Sequence, residues 1–461
     1  MKTRLQNRKK KSIKIKLDSL SQIEPNAAGI DIAHREHWVA VPTDRCAQPV
    51  RPFGTFTTDL EAMADWLEAC GIKTVAMEST GVYWIPAFQV LERRGFKVCL
   101  VNARHVKNVS GRKSDVLDCQ WIQRLHSYGL LTASFRPADQ MCVLRSYLRY
   151  RDELVCARSV QCQHLQKALQ QMNVQLHQVL SDITGVSGLR IIEAILQGQR
   201  DVKQLAALAD SRVRASLATI EKALRGDYRA EHLFVLQSAW DLHQTYERQI
   251  KLCDEQISAQ MAQLPDKVDV KEKPAPPRKA GRPLRYDLVA GKDMRLELYR
   301  WAGVDLTAIE GIGVLTAQVV LSEVGLDMSR WRTEKHFTSW LGLCPDNRIS
   351  GGKVLSSHTR HVLNPVADAL RLAATTLQHS QTALGGFYRR LRGRLGVVSA
   401  ITATAHKLAR IIYRLLRYGE RYVQQGLEAY ENKYRQRVLM NLQKTAASLG
   451  FELTQKQPLA P

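Results

Sequence analysis

Asp31, Glu78, Asp115 and Asp118 stand in the first quarter of a chain that carries 67 Lys and Arg against 44 Asp and Glu, a net charge of +23. Asp31 falls mid-strand in AAGIDIA, Glu78 closes the apolar run in VAMESTG, and Asp115 and Asp118 lie three apart in GRKSDVLDCQWI. At that spacing on a helix both acids can point the same way. A carboxylate among apolar neighbours costs several kcal/mol unless it is paired or metal-bound. Four together repel one another, and divalent cations relieve the repulsion. Mg²⁺ prefers carboxylate and phosphate oxygens, and two ions can clamp one phosphodiester. Each acid alone has a plainer role: Asp115 could cap its helix after Ser114, Asp118 could face solvent, and Glu78 could pair with an arginine. As a D…E…D-x-x-D set in a basic chain, they point to a Mg²⁺ centre, with two ions, acting on nucleic acid.

A second chemical group lies far downstream. In LCPDNRISGGKVLSSHTRHVL, Ser350 precedes Gly351 and Gly352, with Arg348, Lys353, His358 and Arg360 close by. A serine that attacks phosphorus needs an exposed hydroxyl, a proton acceptor and cations for the developing charge. Adjacent glycines let a phosphate approach the backbone. An S-G-G run is also an ordinary turn, and Ser356 and Ser357 compete for the role without a glycine pair. AIEGIGVLTAQVVLSEVG, residues 308–325, reads as a helix–hairpin–helix. Its Gly311 and Gly313 would present backbone N–H groups to a DNA phosphate, or serve only as a tight turn. Lys113, Arg348, Lys353 and Arg360 join them as nucleic-acid-binding candidates.

The elements that must position these groups are legible in outline. Residues 1–24 are a basic tail, fit to touch phosphates. Over 25–137, AAGIDIA and WVAVP read as strands, LEAMADWLEACG as a helix with its stop at Gly71, and KTVAME as a strand. VYWIPAFQVLERRG (helix), FKVCLV (strand) and SDVLDCQWIQRLHSYG (helix) follow. Two adjacent strands and then strand–helix alternation fit an α/β ribonuclease-H-like layer. Residues 138–264 carry long helical stretches, an antiparallel coiled coil within the chain or between chains. Residues 265–298 contain a Pro/Lys-rich linker or insertion whose AGRPLR core resembles a minor-groove hook or is plain linker. Residues 299–445 form a mostly helical domain closing on a basic helix near 399–417, and 446–461 are a tail.

The charge excess favours a nucleic-acid partner over a small molecule. Nine cysteines without a C-x-x-C pair argue against a disulfide framework or zinc knuckle and for a reducing, cytoplasmic setting. No apolar run follows the basic N-terminus, and none reaches the ~18–20 residues of a membrane span. No G-x-x-x-x-G-K-[ST] supplies an ATP site.

Together, GIDIAHREHWVAV, AMESTGVYW, VNARHVKNVSGRKSDVLDCQWIQRLHSYGLL, IEGIGVLTAQVVLSEVG and the SG of NRISGG resemble the insertion-sequence 110/1111 transposases, the DEDD serine recombinases. The resemblance implies a RuvC-like N-terminal domain whose Asp31, Glu78, Asp115 and Asp118 bind Mg²⁺. It implies a C-terminal transposase domain with Ser350 as nucleophile, joined covalently to a DNA end during exchange. It also implies a structured bridge RNA that pairs with donor and target DNA, and a dimer or tetramer in which the acids of one protomer meet the serine of another. The family often shows G-N-x-x-L-R after the serine. This chain reads LNPVADALR, where Pro365 is expected to interrupt and Arg371 stays in place. A Mg²⁺-dependent junction-resolving nuclease, using water and leaving no covalent product, is the alternative.

Overall fold

Ala28, Ile30 and Ile32 alternate with Ala27, Gly29 and Asp31, which gives strand β1 (Ala27–Ile32) two unlike faces. In the computed structural model of the chain, the described residues are 21–79, 81–102, 115–277, 288–360 and 362–452; the side chains of Asp115, Leu288, Arg348 and residues 420–431 are not among what is described. The chain divides at Arg136/Pro137 into two compact units.

In the first unit, β1 pairs antiparallel with β2 (Glu36–Ala40), and β2 with β3 (Val50–Gly54). On its other side β1 pairs parallel with β4 (Thr74–Glu78), and β4 with β5 (Lys97–Val101), in the order β3-β2-β1-β4-β5. Ala28, Ile30 and Ile32 of β1 and Val75 and Met77 of β4 bury one face under α1 (Thr57–Ala69) and α2 (Trp84–Arg93), against Leu60, Met63, Leu67, Phe88 and Leu91. The opposite face takes α3 (Asp115–Ser127), whose Ile122 packs on Ala76 and Val101. The sheet thus contains the strands read from sequence together with β3, which that reading passed over. VRPFG holds a proline and only partly buried residues, so its alternation is faint. Pro can sit there because β3 is an edge strand.

The second unit is mostly helical. Helices α4 (Asp139–Gln171) and α9 (Ala230–Ala262) run antiparallel within the chain: Arg151 pairs with Asp254 at 2.5 Å and Arg158 with Glu247 at 2.6 Å, so partner numbers fall as residue numbers rise. Between them α5 (Leu176–Val179), α6 (Val186–Leu196), α7 (Val202–Ala207) and α8 (Leu217–Ala223) close a separate core around Leu165, Ile191, Ile192 and Leu236. Then come the short hairpin β6 (Leu288–Val289) and β7 (Lys292–Asp293), α10 (Met294–Ala302), α11 (Val314–Val324) and α12 (Glu334–Trp340). The hairpin β8 (Arg348–Ser350) and β9 (Lys353–Ser356) follows, then α13 (Pro365–Thr376), α14 (Ala383–Leu395), α15 (Val397–Tyr418) and α16 (Glu420–Ser448). Helix α15 is the hub: Ala400, Thr404, Leu408 and Ile412 are buried where it meets α12, α13 and α14.

Three expectations change. Pro365 does not interrupt a helix but begins α13, because the Asn364 side chain accepts from the backbone N–H of Val366 (3.0 Å) and Ala367 (3.3 Å) and proline at the first position loses no helical bond. The start of the Pro/Lys-rich stretch is docked rather than free, since the N–H groups of Lys267 and Val268 donate to the Arg300 carbonyl. Residues 308–325 hold one helix, α11; the preceding limb is a 3₁₀ turn at Leu306–Ala308, because α10 ends at Gly303 and Asp305 caps the new turn. AGRPLR, most of the basic tail (residues 1–20) and Lys113 lie outside the described residues. Among the described residues, no helix is long and apolar enough to cross a membrane.

Candidate active site

The parallel register pairs Ile30 with Met77, which brings Asp31 level with Glu78 at the C-terminal ends of β1 and β4. Strand alternation puts Gly29 and Asp31 on one face of the sheet, with Ala76 and Glu78 beside them. That face carries α3. The helix turns Cys119, Ile122, Gln123 and His126 inward at three- and four-residue steps, all buried. Asp118 is next to the first of these and half-buried. Two polar clamps hold the helix on the sheet: Gln123 Nε2 donates to the Ala27 carbonyl at 3.3 Å, its side chain also steadied within the helix by Ser127 Oγ at 3.0 Å, and Thr74 Oγ1 shares a 2.8 Å hydrogen bond with His126 Nε2.

The thiol of Cys119 reports on the charge around it. Burial first, then the carboxylate of Asp31 and more weakly that of Asp118, push it up to about 12. The strand acid and the helix acid therefore share one neighbourhood, with Glu78, itself buried, beside Asp31 on the next strand. Asp115 is the first residue of α3, and its side chain lies outside the described set. Among the described residues, no three His, Cys, Asp or Glu side chains close into a metal-ligand group. The donor set still fits Mg²⁺: it is all carboxylate oxygen, and Mg²⁺ is held by one or two carboxylates plus substrate phosphate rather than by a complete protein cage. Asp31, Glu78 and Asp118 are the residues that would hold it.

Ser350 lies in the second unit, exposed at the tip of β8–β9. It pairs with Lys353 across a two-residue turn in which Gly351 and Gly352 have φ of 57° and 75°. Positive φ at both central positions is what a tight hairpin turn with the strands' own twist demands, and glycine meets it without strain. The turn reading and the exposed-serine reading of S-G-G are thus compatible. The arm continues inward, where the Asp346 N–H donates to the His358 carbonyl at 2.8 Å and Pro345 bridges to Thr359. Arg360 ties its base to α12, donating to the Ser339 carbonyl at 2.5 Å and to its Oγ at 3.1 Å. Lys353 is exposed on the arm and Ser356 is half-buried. Gly311, with φ 84°, lies against the Ala373 carbonyl and Leu377, whereas Gly313 caps α11 with nothing within 4 Å of where a Cβ would stand.

The comparisons with known proteins fall on these two regions. Residues 28–174 match the DEDD transposase model of the IS110 group, and residues 305–389 match the transposase model of the IS116/IS110/IS902 family, together half of the chain. The chain belongs to the IS110 family of transposases. Among curated relatives, it is 32% identical over 129 residues to a Sinorhizobium fredii protein named as a transposase, y4pF/y4sB, covering 26% of this chain and 32% of that protein. It is 30% identical over 119 residues to the insertion element IS110 43.6 kDa protein of Streptomyces coelicolor, covering 25% of this chain and 29% of that one. The chain thus spans about a third of the length of these relatives. In this IS110-family chain the first matched segment contains all four acids, and the second contains Gly311, Gly313, Ser350 and Arg360.

Sequence reasoning read the S-G-G turn but missed the strands that flank it, and it missed the seat of α3. Both had a signal: a Gly-Gly pair between RIS and KVLS, and a run of small residues, Ala27 and Gly29, on the face that carries Asp31.

Proposed function

We propose that this chain is the DNA transposase of an insertion sequence, cutting and rejoining donor and target DNA with Mg²⁺ at Asp31, Glu78, Asp115 and Asp118 and through a phosphoserine formed on Ser350. What supports the reading is that Asp31 lies level with Glu78 on two adjacent parallel strands, and that Asp31 and Asp118 both act on Cys119 of the helix laid over them. Bound Mg²⁺ supplies Lewis-acid polarisation of the phosphate oxygens. The acids would hold the ion that orients that phosphate. Ser350 Oγ attacks phosphorus, the P–O3′ bond breaks, and the serine's proton ends on the departing 3′-oxygen. Attack by another 3′-hydroxyl reverses the step, forming a new P–O3′ bond and returning the proton to Oγ. Each step exchanges one phosphodiester for another, so no nucleotide hydrolysis is required.

Lys113, Arg348, Lys353 and Arg360 grip backbones in this reading, with the N–H groups at Gly311 and Gly313. Base-pairing to a structured RNA from the same element, the bridge RNA, selects the sites. The assembly is a homodimer or tetramer in which acids and serine come from different protomers. The test is a denaturing gel with end-labelled donor DNA. A protein–DNA adduct is expected with the native chain and Mg²⁺, and none with Ser350→Ala. Cleavage that persists in Ser350→Ala, without any adduct, would instead establish a water-using junction nuclease.

A further inference from the structure

The helix that carries two of the four acids lies unusually close to the strand that carries a third. A Cβ built on Gly29 would stand 2.5 Å from the Cys119 carbonyl oxygen and 2.8 Å from the Cα of Gln123, with the Gln123 backbone nitrogen nearer still. Ordinary contact begins at 3.4 Å. All three atoms are main chain, so no change of rotamer relieves the clash. Any side chain at position 29 must move the helix or the strand, by about 1 Å, a displacement that in an active site can cost on the order of 100-fold in rate.

The surroundings determine which end of the helix would move. Its C-terminal half is clamped to the sheet: Gln123 to the Ala27 carbonyl, His126 to Thr74, and Ile122 into the pocket of Ala76 and Val101. Asp115 and Asp118 lie on the other side of the contact, toward the helix start. Gly29 is the fulcrum between the two halves, and it is two residues from Asp31 on the same strand face.

The geometry points to Gly29 as a positioning residue: the missing side chain lets the α3 backbone seat on β1 and thereby sets the distance from Asp31 to the helix acids at which a divalent ion is shared. This rests on the reading that the acids hold a metal. Gln123 is the second part of the device, because its bond to the Ala27 carbonyl holds the helix in the seat.

The experiment uses the full-length chain and Mn²⁺, a paramagnetic stand-in for Mg²⁺, with free ion counted by electron paramagnetic resonance and folding followed by circular dichroism. Gly29→Ala is expected to stay helical, to keep its affinity for duplex DNA, and to bind Mn²⁺ roughly 10- to 100-fold more weakly. Gln123→Leu should weaken Mn²⁺ in the same direction by a smaller factor. A folded Gly29→Ala with native Mn²⁺ affinity overturns the inference, provided that Asp118→Asn has lost the ion. Should Gly29→Ala not fold, Gln123→Leu decides: weakened Mn²⁺ supports the seat, and native affinity overturns it. If the native chain takes up no Mn²⁺ and Asp118→Asn changes nothing, the metal reading itself has failed, and the role of Gly29 with it.

Discussion

The three described candidate acids and the candidate serine are held by opposite kinds of structure. Asp31, Glu78 and Asp118 belong to a sheet face roofed by a helix whose main chain touches the strand below. Ser350 belongs to a two-stranded arm whose tip is exposed and whose shape comes from two glycines in the left-handed region. Packing fixes the first site. Turn chemistry fixes the second. A change near the acids must therefore alter stability and chemistry together, because the same contacts serve both. A change at the arm's tip can alter chemistry while the core of its unit goes unaffected.

The largest effects test whether the two regions form one active site. Asp118→Asn and Ser350→Ala should each lower DNA cleavage by on the order of a thousand-fold or more, while gel-shift affinity for duplex DNA is kept. Mixing the two inactive proteins sharpens the contrast. Recovery of adduct formation in the mixture is expected if acids from one protomer serve the serine of another. A mixture as dead as its parts, with both variants shown to co-assemble, would require each chain to use its own groups.

The next effects ask whether ionic supports do in the second unit what close packing does in the first. Arg295 and Asp305 form a pair that is almost wholly buried, and Asp305 also accepts from Thr307 Oγ1 at 2.6 Å. The pair holds the entry to the Gly311–Gly313 turn. Asp305→Ala leaves the guanidinium buried without its carboxylate and should cost about 3–5 kcal/mol in urea unfolding. Glu334 anchors α12, to which Arg360 ties the arm. Burial opposes its charge, but hydrogen bonds from Arg414 and Arg410 outweigh that and hold the carboxyl below its ordinary value. A depressed carboxyl stabilises the fold above its ordinary titration range and ceases to do so as pH falls through the depressed value. Glu334→Gln should therefore cost about 1.5–3 kcal/mol at pH 7. The gap between native and variant urea midpoints should close as the medium is acidified. A gap that stays constant with pH would mean that Glu334 matters for packing alone.

How much was legible in the sequence follows the same division. The strands and helices around Asp31, Glu78 and Asp118 could be read because burial imposes a period: AAGIDIA and TVAME show it, and α3 shows it as inward-facing residues at 119, 122, 123 and 126. The long antiparallel pair α4 and α9 could be read for the same reason. What stayed hidden has little periodic burial. The strand β3 is a half-exposed edge, and the arm β8–β9 has Ile349, Val354 and Leu355 facing solvent, so its apolar residues mark no core. Pro365 looked like an interruption because a proline's effect depends on its position relative to the cap, and only the Asn364 side chain reveals that position. The seat at Gly29 was hidden because a single sequence does not show what a glycine's missing side chain makes room for. Nor does sequence alone show which acids are neighbours: the β1–β4 register sets Asp31 level with Glu78, and Cys119 senses Asp31 and Asp118 at once.

The smallest expected effect separates the two regions most cleanly. Gly351 has φ 57° and nothing within 4 Å of where a Cβ would stand, so Gly351→Ala meets no clash and costs only the left-handed conformation, about 1–2 kcal/mol. The cost falls on an exposed turn that the helical core does not need. Thermal unfolding of the second unit should then shift little, while adduct formation slows by roughly 10-fold, because the turn that holds Ser350 populates its tight form less often. Gly351→Asn should recover part of the rate, since asparagine tolerates positive φ better than alanine does. An alanine variant that unfolds much earlier than the native chain would show that the arm is part of the core after all. One that forms adduct at the native rate would show that the serine does not depend on its turn.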